Sequence, residues 1–239
     1  MEIETNMVRH TSKVLLILVL HLAFSPSQVS AGFVNLIVNG DFEQGNVGFT
    51  SQYTYGQSGG ALGAAGSYDV LANPKTDRQY DINPPSFGDH TTGHGLMFAG
   101  NGAEVPSMIV WSETIAVDPN TEYSYAMWIT SWFAGSPATF DIEFNGTTIG
   151  TPSAPPVIGQ WQEFSTTWNS GTANSVTIRI YDTNLADIGS DFAMDDISLY
   201  SPAPVPDSFL LFLSGMSMIG LALGARKFKM QVYLSHCSR

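Results

Sequence analysis

The chain has 239 residues, with nine Lys and Arg against 21 Asp and Glu, and a net charge of −12. That balance disfavours nucleic acid and anionic lipid headgroups as partners. The single cysteine, Cys237, excludes a disulfide framework.

In chain order, Arg9, His10 and Lys13 precede the apolar run Val14 to Phe24, and Val29 and Ala31 stand at minus three and minus one of a cut before Gly32. This is the layout of a secretory signal over residues 1–31. The opening MEIETN fits it poorly, and Met7 is an alternative start. An exported segment 32–207 carries three basic residues against nineteen acidic ones, a net of −16. A surface of that sign favours solubility and divalent cations.

Between Gly32 and Pro202 helical periodicity is nearly absent, and short alternating runs are separated by turn signals. NLIVNGDF reads as an opening strand. GLMFAG and MIVWSETIAV follow, and Asp118-Pro119-Asn120 makes a turn into TEYSYAMWITSWF. TFDIEF meets TTIG across Asn145-Gly146, a strong hairpin signal. WQEFSTTW, SVTIRIYD and FAMDDISLY complete about eight strands, the spacing of an all-β sandwich over 32–200. Period two puts Tyr123, Tyr125, Met127, Ile129 and Phe133 on one face of the long strand, and Trp128 and Trp132 on the other. Phe140, Ile142 and Phe144 likewise oppose Asp141 and Glu143. The apolar sides predict the core, and the mixed sides a wet surface or a binding face.

Residues 201–207, SPAPVPD, form a stiff stalk. From Ser208 to Ala225 no side chain is charged, and as a helix this stretch spans roughly 27 Å, close to a bilayer core. Arg226, Lys227 and Lys229 open the tail 226–239 and predict a cytoplasmic end. Val205, Pro206 and Asp207, the apolar helix and the basic pair Arg226 and Lys227 together resemble the PEP-CTERM sorting signal of bacteria, in a Val-Pro-Asp-Ser form. The resemblance implies processing by an integral-membrane exosortase after a transient stay in the inner membrane, with the cell surface or extracellular matrix as destination.

Four stretches, NLIVNGDFE, GDHTTGHGLMFAGNG, IAVDPNTEYSYAMWI and GQWQEFSTTWNSG with DFAMDDISLY, resemble the galactose-binding-like jelly roll of carbohydrate-binding modules of families 4 and 9. The resemblance implies a non-catalytic module and a structural calcium ion where the first strand meets the last, held by the Gly40 carbonyl, Glu43 and Asp195. Asp41, Asp89 and Asp196 are further candidates, since calcium takes six to eight hard oxygen ligands. The expected ligand is a glycan or extracellular polysaccharide. Sugar rings stack on aromatic platforms beside a few placed polar groups, and Trp128 and Trp132, joined by Trp111, Tyr53 and Tyr55, are the candidates.

Other motifs point to no chemistry. Gly56 to Gly60, GQSGG, matches the nucleophile elbow but lacks the strand-to-helix turn that the elbow needs. His90 and His94 have metal-like spacing, but no helix puts them on one face. Asp195 and Asp196 point to opposite faces of a strand, which disqualifies them as a glycosidase pair. The alternatives to a glycan-binding module are a purely structural or adhesive matrix protein and, a distant third, a secreted hydrolase.

Overall fold

A computed structural model describes residues 33–56, 61–76, 86–133, 135–186 and 189–201. The signal segment 1–31, the sorting motif Val205-Pro206-Asp207, the apolar run 208–225 and the basic tail 226–239 lie outside the described residues, as does most of the Gly56–Gly60 loop. Among the described residues no helix is long and apolar enough to cross a membrane.

Eleven strands are described: β1 Val34–Asn35, β2 Thr54–Tyr55, β3 Ser67–Leu71, β4 Met97–Asn101, β5 Ile109–Ala116, β6 Glu122–Phe133, β7 Phe140–Phe144, β8 Thr147–Gly150, β9 Gln162–Asn169, β10 Ser175–Asp182 and β11 Asp191–Ser201. They form a larger sheet in the order β2-β3-β4-β11-β6-β9, with β1 also on β11, and a smaller sheet β5-β10-β7-β8. From β4 onward the chain repeatedly crosses between the sheets, the connectivity of a jelly roll.

The period-two faces come out as the sequence predicts over most of their length. Tyr123, Tyr125, Met127 and Ile129 of β6, Phe140, Ile142 and Phe144 of β7, and Val176, Ile178 and Ile180 of β10 are all buried in one core. Each such side chain contributes on the order of 1.5–3 kcal/mol by leaving water. Aromatic contacts tie the sheets together: Phe140 meets Phe192 edge-on at 4.9 Å, and Tyr125 meets Phe144 at 5.3 Å. Asn145 and Gly146 take φ of 51° and 80°, the left-handed pair that a tight hairpin turn requires. The Asp118–Asn120 turn is pinned where the Asp118 N–H donates to the Tyr123 hydroxyl at 2.7 Å.

Three elements depart from the pattern. NLIVNGDF is a strand only at its start. From Asn39 the chain turns, with Asn39 and Phe42 both at φ 55°. The Asn39 amide donates to the carbonyls of Gly45 and Val47, and its oxygen accepts from the Gln44 N–H. These local bonds compete with a strand ladder and win. In β6 the register shifts at its end, so that Asp191 pairs with Phe133 and Phe192 with Ser131, leaving Trp132 as an extra residue. Phe133 therefore leaves the core row predicted for it and is only partly buried. Finally, β3 (SYDVL) has no alternation to announce it. It is placed by antiparallel pairing with β4.

Candidate functional site

The outer face of the larger sheet carries the residues of interest. Trp128 on β6 lies opposite Asp195 on β11 and Glu163 on β9, and Ala126 lies opposite Ser165. Beyond Asp195 the strand bulges, and Asp196 takes φ 48°. That bulge turns the Asp196 carboxylate toward the loop that precedes β4. There His90 Nδ1 meets Asp196 Oδ2 at 2.7 Å, and the Thr91 hydroxyl donates to the same oxygen. The His90 ring stacks on Trp128 at 3.7 Å and 14°, with Trp161 edge-on at 6.0 Å.

Beneath this loop lies the acidic corner. Asp195 is 1% exposed; it accepts the His90 N–H at 2.8 Å and the Asp196 N–H at 2.9 Å. Burial, and then the charge of Asp196, push its carboxyl up to about 8. Asp89 is also buried, which raises its pKa. The N–H groups of Thr92 and Gly95 and the Thr92 hydroxyl outweigh that and hold it below the usual range. Glu43 accepts the Leu96 N–H at 2.8 Å. A Cβ on Gly95 would sit 1.9 Å from Glu43 Oε1 and 3.1 Å from Asp89 Oδ2. The two oxygens are therefore within the roughly 5 Å that opposite ligands of one calcium ion span. Gly40 closes the corner by backbone contact: its carbonyl accepts the Ile197 N–H at 2.9 Å.

The donor set of this corner is hard oxygen and carries negative charge, which fits calcium in chemistry. Among the described residues, however, no three His, Cys, Asp or Glu side chains are already gathered around one point. The one ion pair described is His90–Asp196. His94 is exposed and does not join His90.

Next to the corner an open groove of about 530 Å³ runs over the sheet. Trp128 forms part of its wall, with polar groups from Asn35, Asp41, Gln44, Glu163 and Tyr200 around it. The other two tryptophans of the expected platform are elsewhere. Trp132 is on the same outer face, as its spacing predicts, but only 5% exposed. It packs with Leu62, Leu71, Met97, Ala99 and Ala193 in a second apolar cluster, and its Nε1 donates to the Gly100 carbonyl at 2.9 Å. Trp111 is wholly buried in the main core, facing inward opposite Ile180. Tyr53 is buried as well, with its hydroxyl accepting the Ala103 N–H at 3.0 Å. Tyr55 is half-buried against Tyr68. A three-tryptophan platform is thus replaced by Trp128 with His90 laid over it. His90 has metal-like spacing to His94 in the sequence, but it stacks on Trp128 instead, and no local signal marks that contact.

The outer face of the smaller sheet is polar. Arg179 lies opposite Glu143 and Ser112, and Tyr181 opposite Asp141. Burial and then the charge of Glu143 raise the Tyr181 hydroxyl, which bonds to Glu143. Asp141 Oδ1 is buried without a hydrogen-bond partner.

No family model matches the chain, and no curated protein matches it. Solved structures with a similar arrangement of strands include the CBM22-1 xylan-binding domain from Paenibacillus barcinonensis Xyn10C, at 12% identity and TM-score 0.41, covering 66% of this chain and 94% of that one. A family 16 carbohydrate-binding module is 18% identical at TM-score 0.40, over 69% of this chain and 99% of the module. A CBM4 structure is 12% identical at TM-score 0.36, over 69% and 99%. At these identities and TM-scores, the likeness says nothing about what this chain binds.

Proposed function

We propose that the sandwich is a non-catalytic glycan-binding module of an exported protein, with its ligand in the groove beside Trp128. The observation that carries this reading is the groove itself. It combines one partly exposed indole with amide, carboxylate and hydroxyl groups from four segments of chain, the mixture a sugar ring requires. Calcium is proposed at the adjoining corner, with Glu43, Asp89 and Asp195 as side-chain ligands and Gly40 as a backbone contributor. When bound, the ion neutralises buried carboxylates and holds the loop that presents His90. Export through the signal segment, a transient inner-membrane stage and exosortase processing near Val205-Pro206-Asp207 complete the proposal, with the cell surface or extracellular matrix as destination.

The burial of Trp111 and Trp132 favours a second reading, a structural or adhesive matrix protein with no small ligand. Affinity electrophoresis of the full-length chain in detergent against a panel of polysaccharides separates the two. Retardation on one glycan class, lost in Trp128→Ala and kept in Arg179→Ala, supports the groove. Loss in Arg179→Ala alone moves the site to the outer face of the smaller sheet. No retardation on any glycan by a folded protein leaves the structural reading.

A further inference from the structure

The groove beside Trp128 has a second aromatic end and a charge of one sign. Ser124, Ala126 and Trp128 share the outer face of β6, and Tyr200 and Ser198 of β11 lie opposite Ser124 and Ala126. Tyr200 and Trp128 both line the groove, and the small side chains of Ala126 and Ser198 lie between them as its floor. The step from Ser124 to Trp128 covers about 13 Å along β6, and the neighbouring strand adds about 4.8 Å across. That span is wider than one sugar ring. Tyr200 is 38% exposed, and Phe33, at 71%, meets its ring edge-on at 6.3 Å.

The walls of the groove are acidic. The sheet order puts β9 beside β6 on one side of the floor, and β1 with the opening segment beside β11 on the other. Glu163 lines the groove from β9 and Asp41 from the opening segment, and both residues are exposed. Asp196, the third carboxylate of the lining, is engaged by His90 and Thr91. Among the described residues no ion pair engages Asp41 or Glu163, and no Lys, Arg or His lines the groove.

The sign of that charge selects among glycans. Uronate or sulfate groups would meet carboxylates with no cation to receive them. An ammonium group on a sugar ring meets a carboxylate on either wall, and the aromatic surfaces of Trp128 and Tyr200 attract it as well. Given the groove as the glycan site, on which this rests, we propose that its ligand is a chain of amino sugars with free ammonium groups. The chain runs from Trp128 to Tyr200 over the Ala126 and Ser198 floor, between Asp41 and Glu163.

Isothermal titration calorimetry of the full-length chain in detergent tests this, with calcium present and at pH 6, where the sugar amine is protonated. The probes are the hexamers of glucosamine, N-acetylglucosamine and galacturonate, and the glucosamine dimer. The glucosamine hexamer should bind about five- to tenfold more tightly than its acetylated counterpart, the effect of two exposed ion pairs, and galacturonate should not bind. High salt reduces that preference, and Asp41→Asn with Glu163→Gln abolishes it. Tyr200→Ala weakens binding of the hexamer but not of the dimer. Equal binding of the glucosamine and acetylated hexamers, or a preference that survives the double variant, would overturn the amino-sugar ligand. A dimer that binds as tightly as the hexamer would overturn the span to Tyr200. Binding of the acetylated or galacturonate hexamer alone, lost in Trp128→Ala, overturns this ligand and keeps the groove as the glycan site. No binding of any probe, with no retardation on any polysaccharide, overturns both.

Discussion

Gly40 is the position where one added methyl group tests the geometry of the corner most directly. A Cβ there would stand 1.9 Å from the carbonyl oxygen of Ile197 and 2.9 Å from its carbon, both backbone atoms of β11. Ordinary contact begins at 3.4 Å, so the strand would have to retreat by about 1.5 Å, the difference between those two distances. Retreat also strains the bond from the Ile197 N–H to the Gly40 carbonyl. Overpacking of this kind costs about 1–3 kcal/mol, and a lost backbone hydrogen bond adds roughly 1 kcal/mol. Gly40→Ala should therefore lose about 2–4 kcal/mol. For a domain of this size that lowers the melting temperature by roughly 5–15 °C. Near-ultraviolet circular dichroism during thermal unfolding, in the presence of chelator, reads the loss without any calcium contribution. A decrease below about 2 °C would mean that β11 does not approach Gly40 this closely, and the corner built on that approach would fall with it.

Gly95→Ala should act differently. Its Cβ meets the end of the flexible, exposed Glu43 side chain, so stability in chelator changes by less than about 1 kcal/mol while calcium-induced stabilisation at the corner is lost. Differential scanning calorimetry with and without calcium checks both halves. The buried pair Asp182 and Asp191 sets a pH dependence. Each carboxyl is raised from 3.8 to about 7 on folding, so the folded state holds more protons between those values. The contribution of this pair to stability in chelator is thus fully present below about pH 4 and is lost as pH rises through 7. Urea titrations in chelator across pH 4–8 measure that slope, and Asp182→Asn with Asp191→Asn should flatten it. Trp132→Phe removes the bond to the Gly100 carbonyl and part of the second cluster. The expected loss is about 1–3 kcal/mol with glycan retardation unchanged, because the ring lies under the 61–76 segment and not in the groove.

Local chemistry sufficed for the sandwich frame. The Asn145-Gly146 turn, the alternating rows of β6 and β7, and the break at Asp118-Pro119-Asn120 depend on residues within a few positions of one another. They read correctly for that reason. The closing strand with Asp195 and Asp196 was legible too, and so was the common face of Trp128 and Trp132. Burial on that face was not. Whether an outward-pointing side chain meets water depends on what folds over it. Leu62 and Leu71 cover Trp132, and His90 covers Trp128, from segments distant in sequence with no periodicity of their own. The same holds for Asp182 and Asp191. In the sequence they are two acids near strand ends, and only the closure of one sheet over the other takes them out of water. Alternation is a property of a single strand and is written in its residues. Desolvation is a property of two or more segments brought together, and the tertiary structure alone decides it.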